Sequence, residues 1–283
     1  RNGFGLIAHG FKFGREFKWR IHKIPEYTTS MGFLEDVELL YETRPYPPVS
    51  VLSPLFQKLD RDALVLLNYS AGFSACYGAV EEKQHPKILV GGCGTFEPVV
   101  VALANPNAEI LAVDLSEASL KKLRWQLQAR GLSQRVRLWK GDFQKLPESG
   151  FDYVIATGVL HHLESPQRGL QALVDRSSAM PVIRLMLYSR LGRSLLYGAK
   201  RMGEILGIKS PKEFRTLISR LPPNHPYGIY FHLYSDAESD VGLADGYLHP
   251  CDRSFVAEEV RELLGGQGLV AGKFLHKHEG QPD

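Results

Sequence analysis

Lys87-Ile88-Leu89-Val90-Gly91-Gly92-Cys93-Gly94-Thr95-Phe96-Glu97-Pro98 reads as a buried strand running into a glycine turn and then a helix. Ile88, Leu89 and Val90 form a short apolar run suited to a strand covered on both faces. Gly91, Gly92 and Gly94 then allow backbone angles, and a close approach to a ligand, that a Cβ forbids. A second apolar run, Ile110-Leu111-Ala112-Val113, closes on Asp114, twenty residues after Gly94. An acid there is placed to accept hydrogen bonds from ribose hydroxyls. The plainer alternative is a helix cap for the segment beginning at Leu115 or Ser116.

The alternation continues outward from this turn. Strands are expected at 87–91, 109–114, 135–139, 152–156 and 181–188, and helices at 97–105, 116–130 and 165–177. That pattern predicts an α/β fold, a Rossmann-like doubly wound and mostly parallel sheet with helices on both faces. Ligands of such sheets lie beyond the carboxyl ends of the strands, where Gly92, Asp114, Asp142, Thr157 and His161 all fall. A dinucleotide turn needs glycine at position 97, where the helix N-terminus meets a pyrophosphate. The carboxylate of Glu97 repels phosphate and suits S-adenosylmethionine, which carries an ammonium and a sulfonium.

From about 87 to 188 the chain resembles the class I S-adenosylmethionine-dependent methyltransferases. Residues 88–96 resemble the first motif of that family, Asp114 with Leu115 its ribose and adenine station, and Gly141-Asp142-Phe143 its third station. Phe151-Asp152-Tyr153-Val154-Ile155-Ala156 resembles the fourth strand, Gly158-Val159-Leu160-His161-His162-Leu163 the run that follows it, and 181–188 the fifth strand. The resemblance implies S-adenosyl-L-methionine as cofactor, held by Gly91, Gly92, Cys93, Gly94, Glu97, Asp114, Leu115, Asp142, Phe143 and Thr157. It departs at two places. Val90 replaces an acid that many relatives carry, which leaves the cofactor ammonium to Glu97 or a backbone carbonyl. Phe96 replaces the usual third glycine, and its ring either packs inward or narrows the cofactor slot.

The activity implied is methyl transfer to an oxygen or nitrogen of a small-molecule acceptor. In-line displacement from a sulfonium asks the protein mainly for alignment and a dry site. An imidazole near its unperturbed pKa can remove the acceptor's proton at neutral pH, and His162, ahead of His161, is the candidate. For each, a core histidine bonded to a backbone carbonyl is the alternative. Tyr188, Arg190 and Tyr234 are the candidate acceptor contacts, Arg190 with a plain surface charge as its alternative. Two other readings of function stand beside this one: a methyltransferase modifying RNA or protein, and a non-catalytic S-adenosylmethionine-binding protein.

At 283 residues, with 44% hydrophobic and 23% charged, the chain can bury a full core. No apolar run approaches a membrane span. Cys76, Cys93 and Cys251 make neither a disulfide framework nor a metal spacing, which suits a reducing, cytoplasmic setting. A net charge of +3 does not declare a nucleic-acid partner. Lys12, Arg15, Lys18, Arg20 and Lys23 do interleave with Phe11, Phe13, Phe17 and Trp19, a pattern that can grip RNA or an anionic surface. An amphipathic arm packed on its own domain is the favoured reading. The chain opens on Arg1 rather than methionine, which leaves open a trimmed or processed start.

Residues 1–86 are read as an N-terminal extension of mixed helix and loop, and 87–283 as the cofactor-binding domain with a lid insertion at about 191–253. Within the extension, Tyr41-Glu42-Thr43-Arg44-Pro45-Tyr46-Pro47-Pro48 is a stiff strap. It crosses a cofactor mouth with Tyr41, Arg44 or Tyr46 pointing in, or it is a rigid linker. The insertion opens with a basic helix at 193–206 and continues as a long irregular segment rich in Pro, Tyr, His and Asp, placed to cap the acceptor side. His232, Asp236, Glu238, Asp240 and His249 are read as solvated lid charges, with no metal. Tyr230, Tyr234 and Tyr247 form an aromatic wall or the lid's own core. A helix at 254–266, capped by Ser254 or Asp252, and a sixth strand at 268–276 follow. The seventh strand is then short, absent or supplied from elsewhere.

Overall fold

The strands β1 (Gly3–Gly10), β2 (Lys87–Gly91), β3 (Glu109–Asp114), β4 (Val136–Lys140), β5 (Phe151–Thr157), β6 (Ser177–Tyr188) and β7 (Leu269–His276) make one sheet in the order β4-β3-β2-β5-β6-β1-β7. The computed structural model describes residues 3–10, 33–48, 61–78 and 83–276. From β4 to β6 every neighbouring pair is parallel. β1 is antiparallel to both β6 and β7. The seventh strand is therefore supplied by the start of the chain, and the N-terminal segment is not confined to helix and loop. The basic, aromatic stretch from Lys12 to Lys23 lies outside the described residues.

Alternate residues of the central strands face opposite ways. Ile88, Val90, Ile110, Ala112, Tyr153 and Ile155 join one core. Leu89, Leu111, Val113, Val154 and Ala156 join the other. Both faces are covered, which is why these strands read as continuous apolar runs. Helices α2 (Arg61–Leu66), α3 (Tyr69–Tyr77), α4 (Glu97–Ala104) and α5 (Glu117–Ala129) serve the first core, through residues such as Phe73, Val99 and Leu123. On the opposite face, α6 (Pro166–Asp175) and α11 (Ala257–Gly265) cover the second core with Leu170, Leu173, Val260 and Leu263. α11 is capped neither by Ser254 nor by Asp252: its N-cap is Val256, whose N–H donates to Glu259 Oε2 at 3.0 Å.

The insertion after β6 is a helical unit with a core of its own, not an irregular segment. It comprises α7 (Ser194–Ile205), α8 (Pro211–Ser219), α9 (Pro226–Leu233) and α10 (Asp240–Tyr247), closed around Leu196, Phe214, Phe231, Leu243 and Tyr247. Two of its prolines start helices instead of breaking them. Pro211 and Pro226 follow the caps Ser210 and His225 at the first helical position, where the missing N–H costs nothing. Helix α1 (Phe33–Thr43) leads into the strap. Among the described residues no helix is long and apolar enough to cross a membrane.

Candidate active site

β2 ends at Gly91, and the chain turns with φ of 63° at Gly92 and 58° at Gly94. A Cβ at 92 would lie 2.4 Å from Val159 Cγ2, and one at 94 would lie 2.7 Å from the Tyr46 carbonyl oxygen. Conformation and neighbours both demand glycine at these two places. Gly91 differs: a Cβ there meets Leu173 and Phe143 at an ordinary 3.6 Å.

The turn is stitched to the end of β3. Cys93 N–H donates to the Val113 carbonyl at 2.9 Å, and Gly94 N–H to Asp114 Oδ2 at 2.8 Å. Asp114 Oδ1 accepts from Ser116 N–H at 2.9 Å. The helix cap is Ser116, whose hydroxyl takes the Ser119 N–H, so Asp114 is not the cap of α5. An ionised carboxylate has about four lone-pair sites, so Asp114 retains capacity for a ribose. Burial raises its pKa, with the N–H groups of Ser116, Gly94 and Leu115 acting against that shift. Burial also pushes the Cys93 thiol well up, which makes it a neutral packed group. Phe96 packs inward with the core, and the Arg130 guanidinium sits 5.2 Å from its ring centroid. Glu97 opens α4. Asp142 Oδ1 accepts from Gln144 N–H at 2.9 Å, and Phe143 is buried against Gly91. Leu115 is half-buried. Thr157 Oγ1 accepts from Arg184 Nη1 at 3.1 Å.

The strap lies over this turn. Thr95 N–H donates to the Tyr46 carbonyl at 3.2 Å, and Thr95 Oγ1 to the Pro47 carbonyl at 2.7 Å. Ser116 Oγ donates to the Tyr41 carbonyl at 3.1 Å. Glu42 Oε2 accepts from the Ala118 N–H at 3.1 Å, at the start of α5. The Tyr41 hydroxyl donates to Asp245 Oδ1 in α10 at 2.7 Å. One residue thus joins the turn side to the lid. Thr95→Val leaves the Pro47 carbonyl without this donor and lowers stability by about 1 kcal/mol, a loss read from urea unfolding midpoints.

Beyond the ends of β5 and β6 the lid closes over a cluster of buried rings. His161 is fully buried and stacks on Tyr188 at 3.6 Å between centroids. Burial drives its pKa well below the usual imidazole value, reinforced by His162, Arg193 and His249, with the Met186 carbonyl acting the other way. His162 Nδ1 donates to the Cys251 carbonyl at 2.8 Å, and its ring stacks on His249 at 3.8 Å. His249 Nδ1 accepts from the Cys251 N–H at 3.1 Å. Burial, then His162 and Lys200, hold the His249 pKa well down.

Arg193, 1% exposed, lies 3.3 Å from the Tyr188 ring centroid and donates Nη2 to the Tyr234 hydroxyl. Its Nη1 is 3.8 Å from Asp252 Oδ2, and Tyr197 donates to Asp252 Oδ1 at 3.0 Å.

Tyr188 and Tyr234 are thus brought to the cluster with His161 and His162. Arg190 is not: it is exposed and grips Glu259 with contacts of 2.7 and 2.8 Å. His249 is buried, not a solvated lid charge, whereas Asp240 does face solvent, paired with Arg215 at 3.1 Å. Tyr234 and Tyr247 belong to the lid's own core. Arg193, Asp245 and Asp252 were not legible as site residues, because each sits in a segment whose local pattern offers a commoner role: basic helix, helix interior and helix cap.

Residues 89–177 match a family model described as a methyltransferase domain. An uncharacterized protein of a Synechococcus strain is 30% identical over 263 residues, covering 87% of this chain and 61% of that protein. A probable fatty acid methyltransferase of Pseudomonas putida is 32% identical over 77 residues, covering 27% of this chain and 20% of that protein. The PKMT2 structure from Rickettsia typhi shares the fold with a TM-score of 0.58 at 18% identity, over 72% of this chain and 43% of that one. The same protein in complex with AdoHcy gives 0.56 at 17%, over the same shares. The chain spans 61% of the length of the Synechococcus relative and less of the other two. The motif order, the sheet and the matched model agree that residues 89–177 of this chain form a methyltransferase domain.

Proposed function

We propose that the chain transfers a methyl group from S-adenosyl-L-methionine to an oxygen or nitrogen of a small-molecule acceptor. The observation that carries this reading is the glycine turn bonded to Asp114 and roofed by the strap, whose Tyr41 reaches from Ser116 beside the turn to Asp245 of the lid. When bound, the cofactor supplies a methyl carbon whose bond to sulfur breaks, leaving its electron pair on sulfur, as the acceptor's nucleophile forms the new bond.

The residues present fit that group. Asp114 has lone pairs for the ribose hydroxyls, with Leu115 beside it. Glu97 places negative charge at a helix start, where a cationic group is welcome and a pyrophosphate is not. Gly91, Gly92, Cys93 and Gly94 give a close backbone surface, Asp142 and Phe143 border the adenine side, and Thr157 ends β5 on the other side of β2. His162 is the proton acceptor, since its Nδ1–H goes to the Cys251 carbonyl and Nε2 keeps its lone pair. His161, sealed behind Tyr188 and held neutral, supports the Tyr188 ring. Tyr188 and Tyr234 line the acceptor side. A lid and strap that enclose the cluster favour a small acceptor over a polymer. Cys76, Cys93 and Cys251 are all free thiols, which supports a cytoplasmic setting. In this reading 1–86 is the extension that carries the strap and lends β1 to the sheet, and 87–283 the methyltransferase domain with its lid at about 191–253.

Asp114→Ala weakens S-adenosylmethionine binding by about 1–3 kcal/mol in calorimetry through the lost ribose hydrogen bonds. In the wild type the same affinity drops on acidification as Asp114 takes a proton. Because burial raises its pKa, the drop starts at a higher pH than for an ordinary aspartate. Unchanged affinity in the variant, or tighter binding of NAD by the wild type, overturns the reading.

A further inference from the structure

The loop after β5 and the segment after α10 meet at one peptide group. The Cys251 carbonyl faces His162 Nδ1 at 2.8 Å, and the Cys251 N–H faces His249 Nδ1 at 3.1 Å. A carbonyl only accepts and an amide N–H only donates, so each ring's polarity is set by its neighbour. His162 carries its proton on Nδ1 and has a lone pair at Nε2. His249 is the opposite tautomer, with its proton on Nε2. The two rings stack at 3.8 Å and 26°, and both Nε2 atoms are buried without a hydrogen-bond partner among the described residues. A lone pair and an N–H are thus offered from neighbouring rings. Asp245 adds a carboxylate oxygen, the ligand-type atoms of the three residues lying within 4.8 Å of one another.

A trio of two imidazoles and a carboxylate invites a metal ion, but the hydrogen bonding opposes it. A metal-bound histidine donates its second ring N–H to an acceptor. His162 does so, whereas the second nitrogen of His249 faces a donor, and its Nε2, carrying the proton, has no lone pair to give. The geometry suits a molecule that brings both a donor and an acceptor.

We infer that His162, His249 and Asp245 form the acceptor-binding clamp, and that the acceptor carries its X–H nucleophile beside a hydrogen-bond-accepting oxygen on the next carbon, as in a vicinal diol, an amino alcohol or a catechol. This rests on the methyltransferase reading above. His162 Nε2 receives the X–H and takes its proton when X is methylated. His249 Nε2–H holds the neighbouring oxygen and so turns X toward the turn at Gly92–Gly94. The Asp245 carboxylate favours a neutral or cationic group there and repels a carboxylate.

Ring-nitrogen nitrogen-15 NMR of the full chain at neutral pH, assigned with His161→Gln and His249→Gln, reads the tautomers with neither cofactor nor acceptor present. The expected result is His162 protonated at Nδ1 alone and His249 at Nε2 alone. With S-adenosylmethionine added, ethanolamine and catechol shift both sets of signals, and ethylamine and phenol bind about tenfold more weakly for want of one hydrogen bond. His249→Phe removes that preference, and His249→Gln, which keeps an N–H, retains part of it. Identical tautomers, a charged ring, stoichiometric Zn2+ retained through dialysis, or no preference among the compounds overturns the clamp, and so does binding of none of them. If His249→Phe does not fold, the wild-type tautomers and compound comparison decide. Tautomers as expected without S-adenosylmethionine binding sink the methyltransferase reading instead.

Discussion

Arg193→Met destabilises the protein by about 3–5 kcal/mol, the loss typical of removing one partner from a buried charge pair. The guanidinium is 1% exposed and the Asp252 carboxylate is fully buried. Burial works against the charge on Arg193, but Tyr188, Tyr234 and Asp252 together hold its pKa above the usual value. Without it, Asp252 keeps the Tyr197 hydroxyl at 3.0 Å and Lys200 Nζ only at 4.0 Å. Methionine is apolar and of comparable reach, so the change removes charge more than volume. Chemical denaturation measures the loss. Arg193→Met combined with Asp252→Leu recovers much of it, because replacing both members of a buried pair is often close to neutral. A double variant no better than the single one would assign the loss to the Tyr188 face, where the cation lies 3.3 Å from the ring centroid. Either way Tyr188 loses the group covering its ring opposite His161, and the acceptor side loses its support.

The parts of this architecture that were legible in the sequence are those where local pattern and tertiary role coincide. Ile88 to Val90 is apolar at every position because a central parallel strand is covered on both faces, and the strand lies where that run predicts. Gly92 and Gly94 are legible because no other residue combines positive φ with those neighbours. β1 was hidden for the opposite reason. Gly3, Gly5 and Gly10 dilute its pattern, and glycine is poor in strands, so only pairing with β6 and β7 defines it. In the lid, prolines suggested irregular chain although they open α8 and α9. The Arg193–Asp252 pair spans 59 residues, and the meeting of His162 with His249 through Cys251 depends on the path of the whole lid. No local spacing encodes either contact.

Acid weakens the fold through two of the same rings. His161 and His249 have pKa values well below that of an ordinary imidazole, chiefly because burial penalises their charged forms. For His249 the geometry adds a reason: a proton on Nδ1 would displace the Cys251 N–H that now points at it. Above about pH 6.5 both rings are neutral in the folded and the unfolded chain, and neither contributes a pH dependence. Below that value the unfolded chain takes up protons that the folded one refuses, so stability falls as the pH falls, by about 1.4 kcal/mol per pH unit for each ring. The decline continues until each folded-state value is reached, and for the two rings together it is about 3 kcal/mol per pH unit. Urea midpoints measured from neutral to mildly acidic pH record the slope. His161→Gln, which keeps a polar side chain but cannot titrate, reduces it by about half. A wild-type profile that stays flat below pH 6.5 would mean that the rings reach water or are charged in the folded state. The neutral state of His249, and the acceptor geometry built on it, would fall with that result.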